Sequence, residues 1–170
     1  MNQDSLPFLN DLMKKQTLLN FIAHFEKELD ALLRSAKSAH QAATHEESRA
    51  EDRHDTFAIE ASYLAAGQAE RVKDLRRTLQ ELNHYLQSNI QSPTSADLGV
   101  LIALETDGKK TYSLMLKTGG GTQTQVEGIT VTLLSPSSPL GDHVIGLVKG
   151  DSFIVENKQG NREHLVVDLF

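Results

Sequence analysis

Between positions 46 and 55 the chain carries five carboxylates, Glu46, Glu47, Glu51, Asp52 and Asp55, against two arginines, Arg49 and Arg53. Asp52 and Asp55 stand three apart, a spacing that puts both on one face at the start of a helix. Acids there also suit the positive end of the helix dipole. The chain has no cysteine, so thiol nucleophiles, disulfides and Cys-based zinc sites are excluded, and only His, Asp and Glu remain as metal ligands. The plainer reading of the same residues is a solubilising loop between helices, with Asp55 as a cap.

Three other groups could do chemistry. His45-Glu46-Glu47 begins like a zinc-protease helix, but Arg49 stands where the second histidine is needed,. His40, His45 and His54 could still gather near the acids, although exposed helix-surface histidines are the simpler account. Arg71, Lys73, Arg76 and Arg77 make a basic stretch, diluted by Glu70 and Asp74. It reads either as a solvated helix face or as a contact for RNA or an acidic protein surface. Gly119-Gly120-Gly121 lacks the spacing of a phosphate loop and reads as a flexible turn.

The elements that must position these residues differ between the two halves of the chain. Ten of the eleven glycines and three of the four prolines follow residue 92, so only the first half can form long helices. There Leu18, Ile22, Phe25, Leu29, Leu32, Ala36, Ala39 and Ala43 advance in steps of three and four. A second seam runs through Ala58, Ala61, Ala65, Gln68, Val72, Leu75, Leu79, Leu82 and Leu86. Two such seams around a polar connector predict a long antiparallel coiled-coil hairpin over residues 1–90, each helix of about 30 residues. Its acidic tip falls near 45–55. Bulky seam residues lie far from the connector and alanines near it, so the hairpin is thick at its base and thin at its tip.

Residues 91–97 read as a linker, with Pro93 ending the second helix at about Ser92. From 98 to 170, short apolar runs alternate with turns. Leu98–Leu104, Thr111–Leu116, Ile129–Leu134, Phe153–Val155 and Glu163–Val167 predict strands, with turns at Asp107-Gly108 and Gln159-Gly160-Asn161. Ser138-Pro139 opens a short helix that Gly146 follows. The fold class is α+β, with a small, mainly antiparallel sheet after the hairpin.

The net charge is −6, there is no Trp, and aromatic residues make up 5% of the 170. Such a chain suits neither independent DNA binding nor base stacking on an aromatic platform. Its apolar runs are too short to span a membrane. Residues 1–12 lack a cationic segment followed by an apolar one, so a cytoplasmic protein is expected.

Ser138-Pro139-Leu140-Gly141, Ile145-Gly146, the run from Gly150-Asp151 to Val155 and the run from Arg162 to Val167 resemble the C-terminal domain of the bacterial Gre transcript-cleavage factors (GreA/GreB type). The first half, with Glu60-Ala61-Ser62-Tyr63-Leu64-Ala65-Ala66, resembles their coiled-coil hairpin. The resemblance implies an FKBP-like fold for 98–170. It implies a transcription elongation regulator whose partner is bacterial RNA polymerase, with its hairpin in the secondary channel and only indirect contact with RNA. No activity as an enzyme and no cofactor of its own are implied. Asp52 and Asp55 would share a Mg²⁺ with the polymerase and stimulate its cleavage of backtracked RNA, with Glu46, Glu47 and Glu51 as further tip contacts. Arg71, Lys73, Arg76 and Arg77 would face RNA or polymerase. A monomer is expected.

With Tyr63 aligned to the Tyr of that family, the positions of its tip motif Asp-x-x-Glu hold Thr56 and Ile59. Asp52 and Asp55 match the motif only if the tip shifts by one helical turn. A channel binder without cleavage activity therefore stands beside the cleavage reading. A self-associating coiled-coil protein, dimeric through the leucine seam, is the alternative from another class. Prolyl isomerase activity is disfavoured, because 98–170 holds only Tyr112, Phe153 and Phe170 as aromatics.

Overall fold

The computed structural model describes residues 6–46, 54–88, 93–157 and 160–170, with side chains for 12–38, 67–88, 93–156 and 160–170. Helix α1 runs Leu6–Glu46 and α2 His54–Gln87, followed by strands β1 Leu101–Thr106, β2 Lys109–Met115, β3 Gln123–Val126 and β4 Ile129–Leu134, helix α3 Pro139–Val144, and strands β5 Ser152–Asn157 and β6 Gly160–Leu169. The architecture is α+β: two N-terminal helices and then a six-stranded sheet in the order β3-β4-β2-β1-β6-β5. Every pairing is antiparallel except β2 with β4.

The helix seams follow the spacing of the sequence. Leu18, Ile22, Phe25, Leu75 and Leu82 are buried, while Leu29, Leu32, Ala36, Gln68, Val72, Leu79 and Leu86 are half-buried. The helices are longer than the 30 residues expected, at 41 and 34. In α1 the extra length lies largely before Leu18, where Lys14 and Thr17 are also buried. That end has a second face to cover, because it meets the sheet as well as α2. The helices run antiparallel. Glu28 pairs with Arg71, while Phe25 and Thr78 come together over Gly119, so position rises in one helix as it falls in the other. Helix α2 ends at Gln87, five residues short of the stop expected at Ser92.

The sheet has a core on each face. On one side Leu18, Phe21, Ile22, Phe25, Leu75 and Leu82 of the helices pack on Leu101, Leu114, Leu116, Val131 and Leu133. On the other, Ala96, Val100, Ile102, Leu104, Met115, Leu134, Val144 and Val166 form a second cluster. The segment 91–97 expected as a linker contains Ala96, which is fully buried and bonded to Leu147 and Gly146 through its backbone.

Three strand expectations are corrected. The strand placed at Leu98–Leu104 begins at Leu101, because Gly99 takes a φ of +78° and passes against the Tyr85 ring, where an added methyl would overlap that ring. Strand β3 was not expected at all. Its Gln-Thr-Gln-Val stretch is mostly polar, and its turn, Glu127-Gly128 with φ of 50° and 82°, uses a less familiar pair than Asp107-Gly108 with 52° and 74°,. The last two strands are longer than read: β5 pairs with β6 from Ser152↔Leu165 to Asn157↔Gly160, so Gly160 and Asn161, expected in the turn, belong to β6.

Candidate functional site

Of the acids singled out in the sequence, Glu46 and Asp55 belong to the end of the helix pair away from the sheet. Glu46 is the last residue of α1 and Asp55 the second of α2. Glu47, Glu51 and Asp52 lie outside the described residues. His40 and His45 belong to α1, and His54 opens α2. Among the described residues no group of three or more His, Asp or Glu side chains gathers as a metal site would.

What positions this end is the contrast along the helices. Near the sheet the seam holds its buried residues, Leu18, Ile22, Phe25, Leu75 and Leu82. Past Leu29 on α1 and before Leu75 on α2, described seam residues are only half-buried and the rest are exposed. From Leu32 to Glu46 α1 continues for about 21 Å at 1.5 Å per residue. Over the described part of this stretch, the two helices have only each other to pack on.

The basic stretch of α2 is not one patch. Arg71 reaches across to α1, with Nε 3.1 Å and Nη2 2.5 Å from Glu28 Oε1. Lys73 pairs with Glu70 at 3.6 Å and Arg77 with Asp74 at 3.4 Å, both one helical turn away. Arg76 makes no ion pair among the described residues. It lines a shallow depression with Leu79, Gln80, Asn83, His84 and Gln87. At 100° per residue, Arg71 and Arg76 flank opposite sides of the seam, while Lys73 and Arg77 face outward. Three of the four cations are thus answered by acids of the chain itself, and all these pairs are exposed enough to be screened.

The base of the helix pair is held at a defined angle by polar bonds. Glu81 of α2 accepts from the Lys117 backbone N–H at 2.7 Å, the Thr118 N–H at 3.2 Å and the Thr118 hydroxyl at 2.9 Å. Asn20 of α1 donates to the Gln125 carbonyl at 2.9 Å. Tyr85 packs on Gly99, and burial, aided by Glu81 and Asp97, raises its phenol above the ordinary value. The sequence reading missed this Glu81 latch, which joins residues 36 apart and leaves no local signal.

Among the described residues, the motifs at 138–141 and 150–151 that carried part of the sequence resemblance make structural contacts. Ser138 caps α3: its hydroxyl accepts from Gly141 N–H at 3.1 Å and donates to Ser135 C=O at 2.7 Å. Pro139 follows in the first helical turn. A methyl on Gly141 would overlap the Ser135 carbonyl. The Asp151 carboxylate accepts from Val148 N–H at 2.9 Å, and its carbonyl accepts from Val166 N–H at 2.9 Å. Beside them Phe153 stacks between His143 and His164, and His164 Nδ1 lies 2.6 Å from the Thr106 hydroxyl. Burial and then the Arg162 cation hold the His164 imidazole below its usual value, against the pull of Asp107.

No protein-family profile matches the sequence, and no curated protein matches it. Solved structures do. GreA factor homolog 1 (Gfh1) of Thermus thermophilus is 16% identical, covering 88% of this chain and 94% of that one, with a TM-score of 0.34. Gfh1 of Thermus aquaticus is 18% identical over 86% and 92%, with a TM-score of 0.35. A prokaryotic transcription elongation factor GreA/GreB from Nitrosomonas europaea is 16% identical over 59% and 92%, with a TM-score of 0.34.

Proposed function

We propose that the chain is a Gre-type elongation regulator that binds bacterial RNA polymerase. In this reading 98–170 is an FKBP-like docking domain, 1–90 a coiled-coil hairpin inserted into the secondary channel, and 91–97 the joint between them. The protein acts in the cytoplasm as a monomer and is not itself an enzyme. The observation that carries the reading is the helix pair: it outruns its buried seam and continues to the acidic segment. Burial alone gives no reason for that extension, whereas a probe of a narrow channel needs it. The alternative of a dimer through the leucine seam is disfavoured, because Leu18, Ile22, Phe25, Leu75 and Leu82 are buried inside one chain.

Asp52 and Asp55 are the residues that would hold Mg²⁺ together with the polymerase. One or two carboxylates are a usual protein share for this ion, with waters and phosphates as the other ligands. Bound there, the ion supplies charge stabilisation for phosphodiester cleavage. This chain's part is to carry the carboxylates on a stiff support. Glu46, Glu47 and Glu51 add negative charge around them. Arg76, the cation left without an acid, is the best placed of the four basic residues to meet RNA or polymerase.

A second reading rests on register. Thr56 and Ile59, at the positions of the cleavage motif, fall within the helical part of α2, one residue and four residues after Asp55. That favours channel binding without cleavage. Co-purification with RNA polymerase tests the common part, and a cleavage assay on backtracked complexes separates the two. Cleavage that is lost in Asp52→Ala and Asp55→Ala, with binding kept, supports the metal-sharing form. Binding with no cleavage by the wild type leaves the channel-binding form. Absence of polymerase binding rejects both.

A further inference from the structure

The two edges of the sheet are treated differently. At one edge β3 lies under α1, and Asn20 bonds its Gln125 carbonyl. At the other edge, among the described residues, no element covers β5 on the face that the helices occupy elsewhere. The bond from Val166 N–H to the Asp151 carbonyl sets the phase of the β5–β6 ladder. By alternation, Phe153, Val155 and Asn157 turn their backbone groups toward β6, and Ser152, Ile154 and Glu156 turn theirs outward. Ile154 is 54% exposed and Leu165, on the same face of β6, is 38% exposed. A bulge stands just before the strand, where Gly150 and Asp151 both bond Val166, but none interrupts the pairing from Ser152 to Asn157, and β5 contains neither proline nor lysine,. These are the devices that commonly blunt an open edge.

Charge selects the occupant. On the Ile154 face the edge carries Glu156 and Glu163, and neither has an ion-pair partner among the described residues. Arg162 lies on the opposite face, beside Val155. A second copy of the chain would add the same two carboxylates and no cation from this face of β5 and β6, in a molecule of net charge −6. A basic strand would answer them. Lysine stems can lie along Ile154 and Leu165 with their ammonium groups at Glu156 and Glu163. The alternate residues of that strand then fall beside Phe153 and Val155.

We propose that β5 binds an extended segment of a partner protein by antiparallel strand addition, and that this segment alternates basic and apolar residues. The probe is a capped heptapeptide of alternating lysine and valine, titrated against the full chain by calorimetry at low and moderate salt. Its lysines occupy the positions that bond to Ser152, Ile154 and Glu156. Methylating the lysine backbone nitrogens therefore weakens binding about tenfold or more, while methylating the valine nitrogens has little effect. Ile154→Pro removes one outward N–H and no bond to β6, so it weakens binding by about tenfold with the melting temperature nearly kept. Ile154→Lys gives a second variant that does not depend on proline. Glu156→Gln with Glu163→Gln weakens binding severalfold and flattens its salt dependence. The proposal is overturned by no binding to the wild type, or by binding indifferent to lysine methylation. It is equally overturned by self-association of the free chain that Ile154→Pro abolishes, which would make the occupant a second copy.

Discussion

The helix pair has two ends that obey different rules. Over the sheet, Phe21, Phe25, Leu75 and Leu82 are 2% exposed or less. Beyond Leu32, Leu33 is 43% exposed and the described seam residues keep only partial cover. The first end is where folding free energy is made, because apolar area removed from water accumulates there. The other contributes little to that total and is free to carry charge. The comparison teaches that stability and proposed function are separated along one pair of helices.

Substitutions can break or sharpen this contrast. The largest effect belongs at the base: Phe21→Ala should destabilise by about 3–5 kcal/mol in denaturant unfolding, while Leu33→Ala stays within about 0.5–1 kcal/mol. An equal loss at both positions would erase the distinction. Gly99→Ala comes next, at about 2–4 kcal/mol, since it combines a positive φ with overlap of Tyr85,. Glu81→Ala removes the acceptor for two backbone donors and one hydroxyl, and should cost about 1–3 kcal/mol,. Gly67→Ala, in the thin part of α2 with open space at its Cβ, should instead stabilise by about 0.5–1 kcal/mol,.

The smallest effect is pH-dependent and lies in the sheet. His164 has a folded value below the ordinary 6.5. The unfolded chain therefore binds this proton more readily, and stability falls as pH drops below about 6.5 toward the folded value. His164→Gln should flatten that part of the thermal stability profile. An unchanged profile would show that the histidine stack does not matter.

Much of the fold was legible because its signals are local. Steps of three and four marked the seam from Leu18 to Ala36, and Ser138-Pro139 marked the start of α3. Strand β3 was not legible, because it is held by pairing to β4 and packing under α1 rather than by its own apolar content. The motif residues 138–141 and 150–151 pointed to a fold through its caps and close backbone approaches, so they carried no statement about chemistry. Of the acids, Glu46 and Asp55, read as part of the polar connector, fall inside the ends of the two helices. The basic stretch at 71–77 looked like one feature in the sequence. Helical rotation and ion pairing divided it, leaving Arg76 apart.

The sequence by itself determined the helical first half, the α+β class and the concentration of carboxylates between 46 and 55. These follow from periodicity, glycine placement and residue type, all of which act over a few residues. Only the tertiary structure decided which end of the helices is buried, that Glu81 latches onto Lys117 and Thr118, and that β5 is left open while β3 is covered. Those outcomes depend on groups brought together from distant positions, and no local pattern encodes the partner a side chain or strand edge will meet.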